Sequence, residues 1–474
     1  MRRSVDEIKR MTQWFCDGKY GVMMHFLGDY RGSDEEWNAR VDAFDCEGLA
    51  KQLHEIGANH YLFTICQHGG RFPFPNKAIE EYCREYGIDK QVCSKRDLVA
   101  DLYDALSKYD IKLMLYTAFG NPCAGEMVNV FDFKPKKGHT EKSKTRWLNL
   151  LREVSLRYGD KVKGWWVDGC YSFYPEFATP DTQFQKDFEE ALRAGNPDTI
   201  IAFNPGIVVK NNSIYEQYTC GESNEWCAYP EDRIIDGVQW HVLTYLGPWW
   251  TDRVCAHSTK ELVNYSKACF DKEGVLTFDV AFDEHGLIQP EHFEQLMVLK
   301  HFIREVDSFN QDEIPESQSY LDAMATIEEP DAIPEGLINI ALNKPCYSAS
   351  DFNEKMKPGL AVDGDVSTFW AQGDDPGEAY WMVDLEKEYD IAALEVVIRD
   401  FNNGERRNFE FRASNDKEFG EYEVLLTQGD FPYPMRKNWA KVYEKPIRAR
   451  YVKFVSIGRW HYQCLSEVRV FVKQ

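Results

Sequence analysis

Apolar and polar positions along the first 285 residues follow two alternating periods. Short runs rich in Val, Ile, Phe and Tyr, bounded by Gly, Pro or Asn, recur at 20–26, 59–65, 111–118, 162–169, 199–206, 218–222, 237–245 and 275–282, and each reads as a strand. Between most of them lie segments with a helical apolar stripe, at 41–56, 95–109, 145–158, 183–194 and 260–271, with 291–305 after the last strand. Strands that alternate with helices must pair in parallel. Eight such units closing on themselves make a (β/α)8 barrel, so the expected class here is α/β. Residues 310–337 are acidic and carry Pro315, Pro330 and Pro334, the composition of a linker. Beyond them the helical period disappears: short alternating runs at 380–385, 394–398, 409–413, 451–457 and 468–472 predict an all-β sandwich or jelly roll. The expected organisation is a barrel over 1–309, a linker over 310–337 and a sandwich over 338–474.

A chain of 474 residues exceeds what one core supports, in keeping with two domains. With 78 acidic against 55 basic residues the formal charge is −23, which disfavours nucleic acid and anionic lipid as partners. No run approaches the roughly 18 apolar residues of a membrane span. The N-terminus, with Arg2 and Arg3 followed by Asp6 and Glu7, has no apolar core of an export signal. The 13 cysteines are odd in number and form no Cys-x-x-Cys pair, so neither a disulfide framework nor a zinc site is expected. A cytoplasmic location follows if residue 1 is the native start; otherwise the protein is exported with its signal removed.

In such a barrel the functional groups collect where the strands end. Strand one ends at His25, strand two in Cys66-Gln67-His68, strand three at Tyr116, strand four in Trp166-Val167-Asp168, strand five at Asn204 and strand six at Glu222. Strand seven carries Trp240-His241, with Trp249 in the loop beyond it, and strand eight carries Asp279. Rings, carboxylates and histidines at one mouth suit sugar chemistry, in which rings stack on a pyranose face and acids act on the glycosidic bond. Strand alternation puts Trp166 and Asp168 on one face. Arg71, beside Gly69 and Gly70, reads either as a clamp for an anionic or hydroxylated ligand or as the partner of a surface acid.

Several of these stretches are similar to one family. Lys19-Tyr20-Gly21-Val22-Met23-Met24-His25, then Thr64-Ile65-Cys66-Gln67-His68-Gly69-Gly70, Gly164-Trp165-Trp166-Val167-Asp168-Gly169 and Gly274-Val275-Leu276-Thr277-Phe278-Asp279 resemble, in order, the glycoside hydrolase family 29 α-L-fucosidases. The resemblance implies a retaining, exo-acting hydrolase of a glycan or glycoconjugate, with Asp168 as nucleophile and no cofactor for catalysis. The chain departs from the family in Phe26 for Trp, in Gln67-His68 for paired histidines, in Asp279 for Asn, and in Trp240-His241 where some members carry their acid as Trp-Glu. Glu222 is the best remaining carboxylate for acid/base work, with Glu225 and Asp279 behind it. His25, Gln67, His68, Tyr116, Trp166, Asn204, His241, Trp249 and Asp279 are expected to shape the sugar subsite. The alternatives are a silent glycan-binding barrel and a glycosidase for a different sugar.

The C-terminal part has its own likeness. Asn339-Ile340-Ala341-Leu342-Asn343-Lys344-Pro345, Ala361-Val362-Asp363-Gly364-Asp365 and Leu465-Ser466-Glu467-Val468 resemble the discoidin (coagulation factor type C) sandwich, whose bacterial forms are family 32 carbohydrate-binding modules. That likeness implies a structural Ca2+ on Asp363, Asp365, Thr368 and Glu467, hard oxygen donors that suit this cation. Arg459, Trp460 and His461 are the expected sugar contacts.

Overall fold

The structure, a computed structural model, describes residues 2–474 apart from 29–30, 68, 121–124, 135–136, 225, 227, 326–328, 374–378, 399–407, 430–437 and 458–462. The chain divides into two compact units, Met1–Ser317 and Gln318–Gln474.

The first unit is built on seven parallel strands: β1 (Tyr20–Met24), β2 (His60–Thr64), β3 (Lys112–Ala118), β4 (Val162–Asp168), β5 (Ile200–Phe203), β6 (His241–Tyr245) and β7 (Val275–Asp279). Their order across the curled sheet is β5-β4-β3-β2-β1-β7-β6. Residues on each strand alternate between two cores, as the pleat requires. Val22, Phe63, Leu115, Trp165, Phe203 and Phe278 pack against the helices. Met23, Leu62, Met114, Trp166, Ala202 and Leu243 fill the inside of the curl together with Phe15 of the N-terminal helix Gln13–Gly18. The Phe15 ring lies 4.7 Å from His60, 5.2 Å from Tyr218 and 5.3 Å from His241, and so plugs the curl.

The ladder holds seven strands among the described residues, not the eight expected. The segment at 218–222 lies between β5 and β6 but makes only two isolated parallel bridges, Tyr218 to Gln239 and Glu222 to Leu243. The cause is Gly221. Its φ of +61° interrupts extended backbone, and a Cβ there would stand 1.9 Å from the His241 carbonyl oxygen, so only glycine fits.

Helix boundaries follow the caps. The single helix expected over 41–56 is two, Asp34–Asp42 and Cys46–Glu55, because the Asp45 side chain accepts from Gly48 N and starts a new N-terminus. Helix Lys77–Glu85, capped by Asn76, was not evident from the periodicity. Helices Leu98–Ser107, Glu141–Tyr158, Gln183–Leu192, Thr259–Phe270 and Pro290–Lys300 occupy the other expected intervals.

The second unit is antiparallel. Its main sheet runs in the order Ile338–Asn339, Glu467–Val472, Tyr380–Val397, Asn438–Ser456, Phe409–Ser414 and Glu423–Gln428, with Trp370–Ala371 paired to Cys464–Leu465 apart from it. Trp370, Trp381, Phe409, Phe411 and Phe454 make a core of its own. The long strand Tyr380–Val397 shifts register against Asn438–Ser456 between Asp384 and Tyr389, which lets one ribbon bend. Within the acidic stretch before it, residues Gln318–Ala325 are helical. No described helix is long and apolar enough to cross a membrane.

Candidate active site

The seven strands of the curled sheet all run one way, so their C-terminal ends form one rim. Asp168 is the last residue of β4, and both of its oxygens accept hydrogen bonds. Oδ2 accepts from the Tyr116 hydroxyl at 2.6 Å and from Gln67 Nε2 at 3.3 Å; Oδ1 accepts from the backbone of Gly169 at 2.7 Å and from Asn204 Nδ2 at 2.9 Å. Every one of these partners donates. Tyr116 reaches this position because β3 and β4 pair Tyr116 with Trp166, and the two rings stack at 4.9 Å and 11°. Burial, and then the charge of Asp168, push the Tyr116 hydroxyl well above its ordinary range, so it stays a donor.

Asn204 follows β5, and its Nδ2 also donates to Glu222 Oε2 at 2.7 Å. One nitrogen thus serves two carboxylates. Since it lies 2.9 Å from Asp168 Oδ1 and 2.7 Å from Glu222 Oε2, those oxygens are separated by at most the sum of the two, 5.6 Å. Burial, then the neighbouring Asp168 charge, raise the Glu222 carboxyl to about 7, against smaller opposing effects of Asn204 and His25. Glu222 is delivered by the Gly221 irregularity rather than by a ladder.

On the opposite side of the rim, His25 Nδ1 lies 2.7 Å from Asp279 Oδ1 at the end of β7. Burial opposes protonation of this imidazole, but Asp279, Asp168 and Glu222 together outweigh it and raise His25. Asp279 Oδ2 accepts from the backbone of Thr251 at 2.7 Å. Thr251 holds φ +64°, a costly conformation for a β-branched residue.

These groups surround a cavity of about 290 Å3, near the small end of ligand pockets. His25, Gln67, Tyr116, Trp166, Asp168, Glu222 and Trp249 line it, as do Leu27, Leu243, Trp250 and Thr251, which the sequence reasoning missed. The Gly247-Pro248 turn signal before the paired tryptophans was the available clue for Trp250. Asn204 and Asp279 stand behind the lining and hold it. His241 is not brought to the cavity. It opens β6 rather than closing it, so it lies low in the curl with Nε2 2.8 Å from Thr277 Oγ1 and Nδ1 2.8 Å from the Thr219 carbonyl. Burial lowers it to about 4. His68 and Glu225 lie outside the described residues. Arg71 is buried, donating to Asp34 at 2.9 Å and to the carbonyls of Gly32 and Gln91, which makes it a loop brace rather than a clamp for a ligand.

In the second unit, Arg459, Trp460 and His461 lie outside the described residues. Of the oxygen donors, Asp363 accepts from Asp365 N at 2.8 Å and from Thr368 Oγ1 at 2.7 Å, and Asp365 accepts from Ser367. Glu467 is buried; its Oε2 accepts from Gly364 N at 3.2 Å, and its Oε1 has no hydrogen-bond partner. Burial raises this carboxyl. The nearest cation to that oxygen is Arg469 Nε at 3.8 Å, so its hydrogen-bonding capacity is left for a further cation, although the described residues hold no group of three His, Cys, Asp or Glu arranged around a metal.

The profile of the α-L-fucosidase family matches residues 27–306, and that of the F5/8 type C domain matches 346–468. No curated protein matches the chain. Among solved structures, a GH29 fucosidase of Ruminococcus gnavus in complex with fucose is 14% identical, with a TM-score of 0.45 over 100% of this chain and 95% of that one. A fucose-binding module of Streptococcus pneumoniae is 21% identical, with a TM-score of 0.25 over 30% of this chain and 99% of that one. A chitosan-binding module from a Paenibacillus chitosanase/glucanase is 18% identical, with a TM-score of 0.25 over 28% and 98%.

Proposed function

The chain belongs to the α-L-fucosidase family of glycoside hydrolases and carries an F5/8 type C domain, and from that premise we propose that it removes a terminal sugar with retention of configuration. Asp168 is the nucleophile and Glu222 the acid/base. The observation that carries this reading is the shared Asn204 amide. Carboxyl groups about 5–5.5 Å apart serve a retaining mechanism, whereas an inverting one needs roughly 6.5–9.5 Å to admit water between acid and base. A bound of 5.6 Å on one pair of their oxygens supports the closer, retaining spacing.

An Asp168 oxygen attacks the anomeric carbon and forms a C–O bond as the bond to the aglycone breaks, while the Glu222 carboxyl gives its proton to the departing oxygen. Glu222, now a carboxylate, takes a proton from water, which attacks the same carbon and frees Asp168. A carboxyl raised to about 7 is protonated in part at neutral pH, as the first step requires. The small cavity suits one sugar ring, hence exo action. In the same reading, 217–223 stands as the irregular eighth stave of the barrel, and residues 318–474 form a glycan-binding sandwich in which Asp363, Asp365, Thr368 and Glu467 would hold Ca2+.

The test uses 4-nitrophenyl α-L-fucoside. Wild type should release nitrophenol; Glu222→Ala should be slow and give, with azide, the glycosyl azide of retained configuration, and Asp168→Ala the inverted one. Wild-type silence on fucosides and galactosides, or an Asp168→Ala variant as active as wild type, sinks the reading.

A further inference from the structure

Outside the cavity but on the same rim, the first unit exposes apolar side chains that its own core leaves bare. Phe173 is 59% exposed, Ile207 51% and Val208 40%. They sit on two loops, the one that follows Asp168 out of β4 and the one that follows Asn204 out of β5. The loops meet: a Cβ on Gly206 would lie 3.7 Å from the Tyr171 ring. Tyr171 stands 5.4 Å from Phe173 at 32°, and Phe173 stands 4.5 Å from the buried Tyr174, which anchors the row. A contiguous exposed apolar patch beside a pocket marks a contact site.

Which substrate part reaches them follows from proton transfer. The acid must lie beside the glycosidic oxygen, so the leaving group points toward Glu222, away from His25 and Trp250. Asn204, bonded to Glu222 at 2.7 Å, begins the loop that carries Ile207 and Val208. Tyr171 of the other loop meets Gly206 of this one, which places both loops on the same side.

We propose that Tyr171, Phe173, Ile207 and Val208 form the aglycone subsite, a platform for the apolar face of the sugar to which the cleaved residue is attached. The inference rests on the glycosidase reading with Glu222 as acid. It makes the two loops a determinant of which glycans are cut, while the cavity determines which sugar is removed.

Two probes carry the same fucosyl group on different leaving groups: α-L-fucosyl fluoride, with no sugar aglycone, and an α-L-fucosyl-lactose trisaccharide. In Phe173→Ala and in Phe173→Ala/Ile207→Asn, the ratio of kcat/KM for the trisaccharide to that for the fluoride should fall at least tenfold. An unchanged ratio overturns the proposal. Lactose binding, followed by saturation-transfer NMR, tests the platform without turnover. It should be present in wild type and lost in Phe173→Ala; equal binding by both, or none by wild type, overturns the platform. Wild type that binds lactose yet cuts neither probe counts against the glycosidase reading alone.

Discussion

Asp168 and Glu222 accept hydrogen bonds from one and the same nitrogen, Asn204 Nδ2. Two acids that close repel when both are charged, and a donor between them offsets part of that repulsion. Asn204→Leu should therefore lower kcat by roughly 10²–10³. Because the Asn204 bond lowers Glu222, its loss should also move the basic limb of the pH–rate profile upward. A downward or absent shift argues against the bridge.

Glu222 makes stability depend on pH with a defined sign. Its folded value of about 7 lies above the ordinary 4.5, so between these values the folded chain keeps a proton that the unfolded chain has lost. Stability falls as pH rises through this window, by on the order of 3 kcal/mol at completion. Glu222→Gln should match wild type at pH 4 and exceed its Tm at pH 8. Equal Tm values at pH 8 would falsify the burial of this carboxyl.

Tyr116→Phe keeps the stack on Trp166 and removes only the 2.6 Å bond to Asp168. A charge-assisted bond of this kind contributes about 1.5–3 kcal/mol, so kcat should fall about 10- to 100-fold. Thermal unfolding should move little. A variant with full activity would show that Gln67, Gly169 and Asn204 hold Asp168 without help.

The second unit offers a metal test. If Ca2+ meets Glu467 Oε1, which has no hydrogen-bond partner and only Arg469 Nε at 3.8 Å, chelation should lower the Tm of residues 318–474 by several degrees, and Glu467→Gln should abolish the response. A chelator response that survives in Glu467→Gln places the cation elsewhere.

Each unit has its own core, so residues 1–317 should fold alone and keep turnover of a small aryl fucoside while losing avidity for a glycoprotein. A cooperatively folded 1–317 that has lost small-substrate turnover would assign the second unit a part in catalysis.

Much of the site was legible because parallel strands turn sequence position into rim position. The motif ending in Asp168 and the residues His25, Tyr116 and Asn204 needed only the rule that strands end at one face. His241 misled because the resemblance sets Trp240-His241 against a Trp-Glu motif that serves the mouth, whereas the strand begins at His241. Trp250 and Thr251 were missed because their placement depends on a loop whose Thr251 adopts φ +64°, a choice made by the Asp279 carboxylate across the rim and invisible to local pattern. The missing ladder of 218–222 is signalled in the sequence by Gly221, whose positive φ interrupts an otherwise strand-like run.

The Phe15 plug gives the fold a timetable. Its partners Tyr218 and His241 lie more than 200 positions downstream. At a synthesis rate of about 5–20 residues per second, the N-terminal helices wait on the order of 10–45 s before their floor exists. Through that interval the apolar face of Met11 and Phe15 has only the part of its native seat that His60, Leu62 and Met114 supply, and it is a target for chaperones or for wrong partners. Protease nicking of ribosome-bound chains should therefore stay high near Phe15 until His241 has emerged, then drop; protection that arrives earlier would refute the order. The first residues made are among the last to be seated.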